Sequence, residues 1–248
     1  MTYPDFAPRL NEDNPDPRVA CVLALDTSYS MSGDNGGSAL GSILRGSPID
    51  ELNQGMKKFA EDANADDLTR KQAEVCIIKF GPYAEVVTPF CEVREFTPPR
   101  LNADGGTPMG AAIDLAIDEL ESRKQQYREG GIEYFRPWLI VMSDGTPTDP
   151  PVFNNAVSRL NDLERRKAVA VFAVGIGKNA DLQTLSRLSI ERPAVSMKNV
   201  RSFGEFFVWL SRSLSSVSQS DGHAETDNAI GEQETQVSLP PIDGWGRV

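Results

Sequence analysis

Apolar residues in this chain come in continuous runs rather than strict alternation. The runs are 19–25 (V-A-C-V-L-A-L), 73–80 (A-E-V-C-I-I-K-F), 138–143 (W-L-I-V-M-S) and 168–174 (A-V-A-V-F-A-V). A run that is apolar on both faces suits a strand buried inside a parallel sheet. The stretches between them carry helical spacing. Ser47-Pro48-Ile49-Asp50-Glu51 is a helix start, with Ser as N-cap, Pro at the first helical position and acids in the first turn. It predicts a helix to about Ala63, with Leu52, Met56, Phe59 and Ala60 on one face. A second helix is predicted from the 103–110 segment to Tyr127, a third over 151–166, a short one over 181–188 and a C-terminal one over 203–214 that packs on the sheet. Residues 84–88 follow strand 73–80 after only a Gly81-Pro82 turn, too short for a helical crossover, so these two strands should pair antiparallel. Residues 92–96 read as a short extended piece and 194–197 as a short edge strand. Strands alternating with helices predict an α/β fold: a doubly wound, mostly parallel sheet with one antiparallel edge strand and helices on both faces.

The pattern also divides the chain. Residues 1–17, rich in Pro, Asp and Asn, form an irregular lead; 18–217 form the domain; 218–248 form an acidic tail. The tail carries Asp221, Glu225, Asp227, Glu232, Glu234 and Asp243, a composition typical of a flexible segment. Its end, Q-V-S-L-P-P-I-D-G-W, adds Val237, Leu239, Ile242 and Trp245, enough apolar surface to dock on the domain or on a partner; plain disorder is the alternative. Within the domain, residues 32–48 hold five glycines without a clear period and read as a flexible loop.

Composition narrows the function. The 248 residues carry a formal net charge of −11 and a pI near 4.7, which argues against a nucleic acid or an anionic membrane as partner. No apolar stretch approaches the roughly 20 residues that span a bilayer, and the N-terminus lacks the order of a secretory signal. Cys21, Cys76 and Cys91 are odd in number and two lie in apolar runs, which suits reduced thiols in a cytoplasmic protein. The one histidine, His223, lies in the tail, so no mechanism needing a core histidine applies.

Candidate chemistry gathers where strands end. The first run stops at Asp26 and is followed by Thr27, Ser28 and Ser30. In an extended segment Asp26, Ser28 and Ser30 would share one side, offering hard oxygen donors that suit Mg²⁺. An Asp/Ser turn capping the next helix is the alternative. Gly105-Gly106-Thr107-Pro108 precedes a helix, and Asp144-Gly145 closes another strand. In a parallel sheet such loops emerge at one edge, and together they offer two carboxylates and three hydroxyls. That set fits an octahedral Mg²⁺ that keeps waters and an open position. Glycines 105, 106 and 145 would let backbone approach the ion.

D-x-S-x-S, a Thr after paired glycines and the Asp of an [S/T]-D-G turn resemble the metal-ion-dependent adhesion site (MIDAS) of von Willebrand factor A domains, over about residues 15–217. The resemblance implies that Ser28, Ser30 and Thr107 bind the ion directly, while Asp26 and Asp144 hold it through water or switch between modes. It implies Mg²⁺, with Mn²⁺ or Ca²⁺ as substitutes, and a partner protein whose Asp or Glu completes the coordination. More narrowly, D-T-S-x-S-M, P-I-D-E-L-N, G-G-T-P-M-G and S-D-G-T-P-T-D are similar to the bacterial intracellular group that includes the tellurite-resistance protein TerY. Members of that group are commonly encoded beside a protein kinase and a metal-dependent phosphatase, which implies a role in stress or defence signalling. Two features depart from the pattern: Tyr29 stands where Gly is common, and the Gly-rich stretch after Ser32 is long. The expectation is an adaptor, not an enzyme. A Mg²⁺-dependent phosphohydrolase with Asp26 as nucleophile is the alternative, but the position two residues on, where a general acid is wanted, is Ser28. A structural domain with an unused metal site is the third reading. Asp149 stands near the site, as an outer partner or as the N-cap of the next helix. Asp104 would tune the site or be solvated, and Asp114, Asp118, Glu119 and Glu121 read as a solvated helix face.

Overall fold

The structure is a computed structural model, and it describes residues 16–33, 47–67, 69–177, 180–197 and 245–247. The elements in chain order are β1 (Val19–Asp26), α1 (Pro48–Ala65), α2 (Thr69–Gln72), β2 (Ala73–Phe80), β3 (Ala84–Glu92), α3 (Met109–Glu129), β4 (Trp138–Ser143), α4 (Pro150–Arg165), β5 (Ala170–Ile176), α5 (Leu182–Leu185), β6 (Val195–Met197) and β7 (Trp245–Arg247). The sheet order is β3-β2-β1-β4-β5-β6-β7. Strands β2, β1, β4, β5 and β6 run parallel. β3 pairs antiparallel with β2, and the short β7 pairs antiparallel with β6. This is the mostly parallel, doubly wound α/β architecture that the apolar runs predict.

Central strands are buried on both faces, so their side chains split by parity between two cores. Val19, Cys21, Leu23 and Leu25 of β1 pack with Leu52, Met56 and Phe59 of α1. Ala20, Val22 and Ala24 pack on the other face with Ile113 and Ala116 of α3 and Ala156 and Leu160 of α4. α1 begins as expected: the Ser47 hydroxyl oxygen accepts from the Asp50 N–H at 3.3 Å and Pro48 is the first helical residue. All three cysteines are free thiols, with Cys21 and Cys76 buried. No helix among the described residues is long and apolar enough to cross a membrane.

Several boundaries differ from the sequence reading, each for a physical reason. β3 runs on to Glu92 through two register shifts, carrying Pro89 on the outer edge, where a missing N–H costs no ladder bond. Residues 93–95 form a 3₁₀ turn instead of an extended piece. β5 starts at Ala170, because α4 ends in a left-handed Lys167 (φ 56°) that spends Ala168 on a bond to Leu163. The predicted helix over 203–214, the Gly-rich loop over 34–46 and the tail over 218–244 lie outside the described residues.

At the amino ends of β1 and β2 lies a buried ionic cluster that the apolar pattern did not announce. Glu74 meets Arg123 Nε at 2.6 Å and Arg18 Nε at 3.5 Å, and the Tyr127 hydroxyl donates to it. Arg18 also reaches Glu92 at 3.4 Å. Arg18, Glu74, Arg123 and Tyr127 are all at most 2% exposed. The cluster ties β1, β2, β3 and α3 together at the end of the sheet opposite the candidate site.

Candidate metal centre

The carboxyl edge of the sheet gathers three loops. β1 ends at Asp26, and the Thr27 N–H still donates to the Phe80 carbonyl at 2.8 Å. The chain then turns. Ser28 sits at the N-cap position of a 3₁₀ turn over Tyr29–Ser32, and Met31 drops into the core. The expected extended alternation of Asp26, Ser28 and Ser30 therefore does not occur. The turn itself brings Ser28 Oγ to 2.9 Å from Ser30 Oγ. Ser and Asp favour such local bonds over continued strand, and the buried Met31 fixes the direction.

Asp26 is fully buried, accepting from the Ser28 N–H at 2.8 Å and from the Ser143 hydroxyl at 2.5 Å. Asp144, just past β4, accepts from the Ser30 hydroxyl at 2.8 Å. Thr107 is 6% exposed, and its Oγ1 lies 3.5 Å from the place a Cβ would take on Gly145. Its hydroxyl therefore faces the Asp144-Gly145 turn. The structure thus brings Asp26, Ser28, Ser30, Thr107 and Asp144 to one edge of the sheet.

Gly105 makes this packing possible. Its φ of 75° is left-handed, and a Cβ there would fall 2.4 Å from Pro82 N. Its reason is thus the fit of the 104–106 loop between its neighbours, where Asp104 N–H donates to Thr27 at 2.7 Å and Tyr29 N–H to Gly105 at 3.1 Å. Tyr29 itself is 59% exposed at the rim.

The segment after Asp144 holds the Thr107 loop. Thr148 Oγ1 accepts from the Thr107 N–H at 3.1 Å, and the Thr148 N–H donates to the Thr107 carbonyl at 2.9 Å. Asp149 occupies the N-cap position of α4, where its carbonyl accepts from Phe153 at 2.9 Å. Its carboxylate does something else: it accepts from the Gly110 and Ala111 N–H groups, at 3.1 and 2.9 Å, in the first turn of α3. Ser143 and Thr148 were missed as partners. The only signal was their place in S-D-G-T-P-T-D.

Electrostatics here are unbalanced. Burial pushes the Asp26 carboxyl up to about 6, against the lowering effect of its Ser143 and Ser28 bonds. Burial also raises Asp144, opposed by its bond from Ser30. Among the described residues no Lys or Arg pairs with either; Lys79, near the carboxyl end of β2, is engaged with Glu85 at 2.7 Å. No group of three or more His, Cys, Asp or Glu forms a metal-binding cluster among the described residues. The donors here are instead two carboxylates and three hydroxyls, an all-oxygen set of the kind hard cations take.

A doubly wound sheet with carboxylates and hydroxyls at its carboxyl edge defines the class of protein. The profile of the von Willebrand factor type A domain matches residues 21–208, and the chain belongs to that family. Solved structures share the fold. A D319A mutant of the PilB minor pilin from Streptococcus sanguinis is 13% identical, with a TM-score of 0.58, covering 82% of this chain and 63% of its own. Proximal thread matrix protein 1 from the mussel byssus, with a zinc-occupied MIDAS motif, is 16% identical with a TM-score of 0.52, covering 82% and 49%. BatB from Bacteroides thetaiotaomicron, a conserved hypothetical protein, is 15% identical with a TM-score of 0.51, covering 82% and 100%. This chain thus matches about half the length of the mussel protein. No curated protein matches the sequence.

Proposed function

We propose that this domain is a divalent-metal-dependent protein-recognition module, an adaptor rather than an enzyme. Asp26, Ser28, Ser30, Thr107 and Asp144 hold Mg²⁺, with Mn²⁺ or Ca²⁺ as substitutes. The observation that carries the reading is the pair Asp26 and Asp144: two carboxylates at one edge, one fully buried, with no cationic side chain among the described residues to neutralise them. A buried carboxylate without a charge to balance it is costly even when hydrogen-bonded, and a hard cation beside it offsets that cost. The mussel protein is described with zinc in its MIDAS motif, and a divalent ion of that kind is extended here to this chain. A bound cation supplies a Lewis-acidic position that an Asp or Glu of a partner protein completes. The residues of this chain orient that position: Ser28 and Ser30 through the 3₁₀ turn, Thr107 through its loop, and Asp26 through Ser143.

The phosphohydrolase alternative asks Asp26 to act as nucleophile. Both of its oxygens are bonded, to the Ser28 N–H and the Ser143 hydroxyl, and it has no exposed surface. Those bonds suit a placed anchor better than an attacking group. The narrower reading is a TerY-like cytoplasmic adaptor of a bacterial stress or defence system, its partner one of a neighbouring kinase and phosphatase pair. It draws on the motif resemblance.

The test is capture of displayed peptides with a fixed central Asp or Glu by the immobilised full chain, in Mg²⁺ and in EDTA. The reading predicts capture in Mg²⁺ that is lost in EDTA and in Asp26→Ala. Equal capture in EDTA and in the variant overturns it.

A further inference from the structure

We propose that Thr148 and Asp149 are positioning residues of the metal centre, locking the Thr107 loop to the Asp144 turn so that both donors are held as one unit. The inference rests on the metal reading above. Thr148 bonds both main-chain polar groups of the nearly buried Thr107, its hydroxyl oxygen accepting from the N–H at 3.1 Å and its N–H donating at 2.9 Å to the carbonyl, which also accepts from the Met109 N–H at 2.7 Å. The Asp104 and Gly105 main-chain bonds tie the front of the loop to the 27–29 turn, and the Thr148 bonds are those that tie Thr107 to the segment after Asp144. Asp149 then takes the first free N–H groups of α3, those of Gly110 and Ala111. α3 lacks a cap of its own: Pro108 stands at its N-cap position without a side-chain bond, and its first turn has no acid. Helix starts leave such N–H groups without intrahelical partners, and here the satisfying carboxylate arrives from a different loop.

The two helix starts are also in direct backbone contact. A Cβ on Gly110 would lie 2.2 Å from Phe153 N, so α3 and α4 approach as closely as glycine allows. Asp144 and Asp149 bound one six-residue loop. The carboxylate at its start bonds Ser30, and the carboxylate at its end caps α3. Thr148 is exposed, so its hydroxyl acts through these bonds rather than by packing. The clamp therefore sets where the Thr107 hydroxyl stands relative to Asp144, and outer partners of this kind tune metal affinity.

The experiment measures Mn²⁺ dissociation constants of the full chain by electron paramagnetic resonance of free Mn²⁺. It compares wild type, Asp26→Ala, Thr148→Val, Thr148→Ser and Asp149→Ala, with urea unfolding of each in EDTA. Thr148→Val and Asp149→Ala are expected to weaken Mn²⁺ about tenfold or more, the range for losing an outer partner, and Thr148→Ser to restore it. A purely structural role would lower stability in EDTA and leave the dissociation constant unchanged. Thr148→Val keeps the side-chain shape, so it carries the test should Asp149→Ala fail to fold. Wild-type binding that is lost in Asp26→Ala yet unchanged in Thr148→Val and Asp149→Ala overturns the positioning role alone. Absence of Mn²⁺ binding in wild type overturns the metal reading together with it.

Discussion

Asp26→Asn separates the electrostatics of the site from its hydrogen bonds. Asparagine keeps the size of the side chain. It also keeps an oxygen to accept from the Ser28 N–H, while toward Ser143 it presents an NH₂ group, so that bond is kept with its direction reversed, the Ser143 hydroxyl oxygen accepting. What it removes is the charge. In the metal-free protein the Asp26 carboxyl titrates at about 6 instead of its ordinary 3.8, chiefly because burial disfavours the anion. Its folded value is raised, so the native state binds the extra proton between those limits. Its contribution to stability is fully present below 3.8 and is lost as pH rises through about 6. At about 1.4 kcal/mol for each unit, a rise of about two units amounts to roughly 3 kcal/mol. In EDTA the variant is therefore expected to match wild type near pH 4 and to exceed it by up to about 3 kcal/mol at pH 8. Excess Mg²⁺ should narrow or close that gap at pH 8, since the wild type offers the ion two carboxylates and the variant only Asp144. The assay is urea unfolding followed by tryptophan fluorescence, Trp138 being buried, at several pH values with and without Mg²⁺. Parallel pH profiles for the two proteins in EDTA would refute the argument.

The remaining predictions concern other parts of the fold. Glu74→Ala should cost about 3–5 kcal/mol, the range for stranding a buried partner charge, because Arg18 and Arg123 both lean on it; urea unfolding checks this, and any Mg²⁺ shift should persist, since the cluster is at the far end of the sheet. Gly105→Ala should destabilise by more than about 1 kcal/mol, since its φ is 75° and its Cβ would strike Pro82; thermal unfolding reads it. Ser47→Ala should cost about 1 kcal/mol through loss of the Asp50 N–H bond at the start of α1, again read by unfolding.

What was legible in the sequence and what was not follows from range. β1, β2 and β4 are continuous apolar runs, and a run buried on both faces admits few other readings. α1 announces itself through Ser47 and Pro48 because capping is local chemistry. The five candidate donors could be picked out as residues, since all lie at or just after a strand end or just before a helix, but their local geometry could not. Ser28 and Ser30 meet through a turn whose direction depends on where Met31 is buried, a tertiary fact. Asp149 reads as the cap of the helix that follows it, yet its carboxylate serves α3, far back in the chain. Glu74 sits in an apolar run like an ordinary edge residue. Only the pairing of β1, β2 and β3 with α3 reveals two arginines waiting for it. The start of β5 was misplaced because no local rule marks Lys167 as the left-handed residue that ends α4.

The central claim is that the edge formed by Asp26, Ser28, Ser30, Thr107 and Asp144 binds a divalent cation. The most direct measurement is thermal unfolding of the full chain and of Asp26→Ala at pH 8, each in excess Mg²⁺ and in EDTA. A ligand of the native state at a hundredfold its dissociation constant stabilises by about 2.7 kcal/mol, which moves a domain of this size by several degrees. The account predicts such a rise with Mg²⁺ in wild type and none in Asp26→Ala. An unmoved wild type, or an equal rise in both proteins, would contradict it.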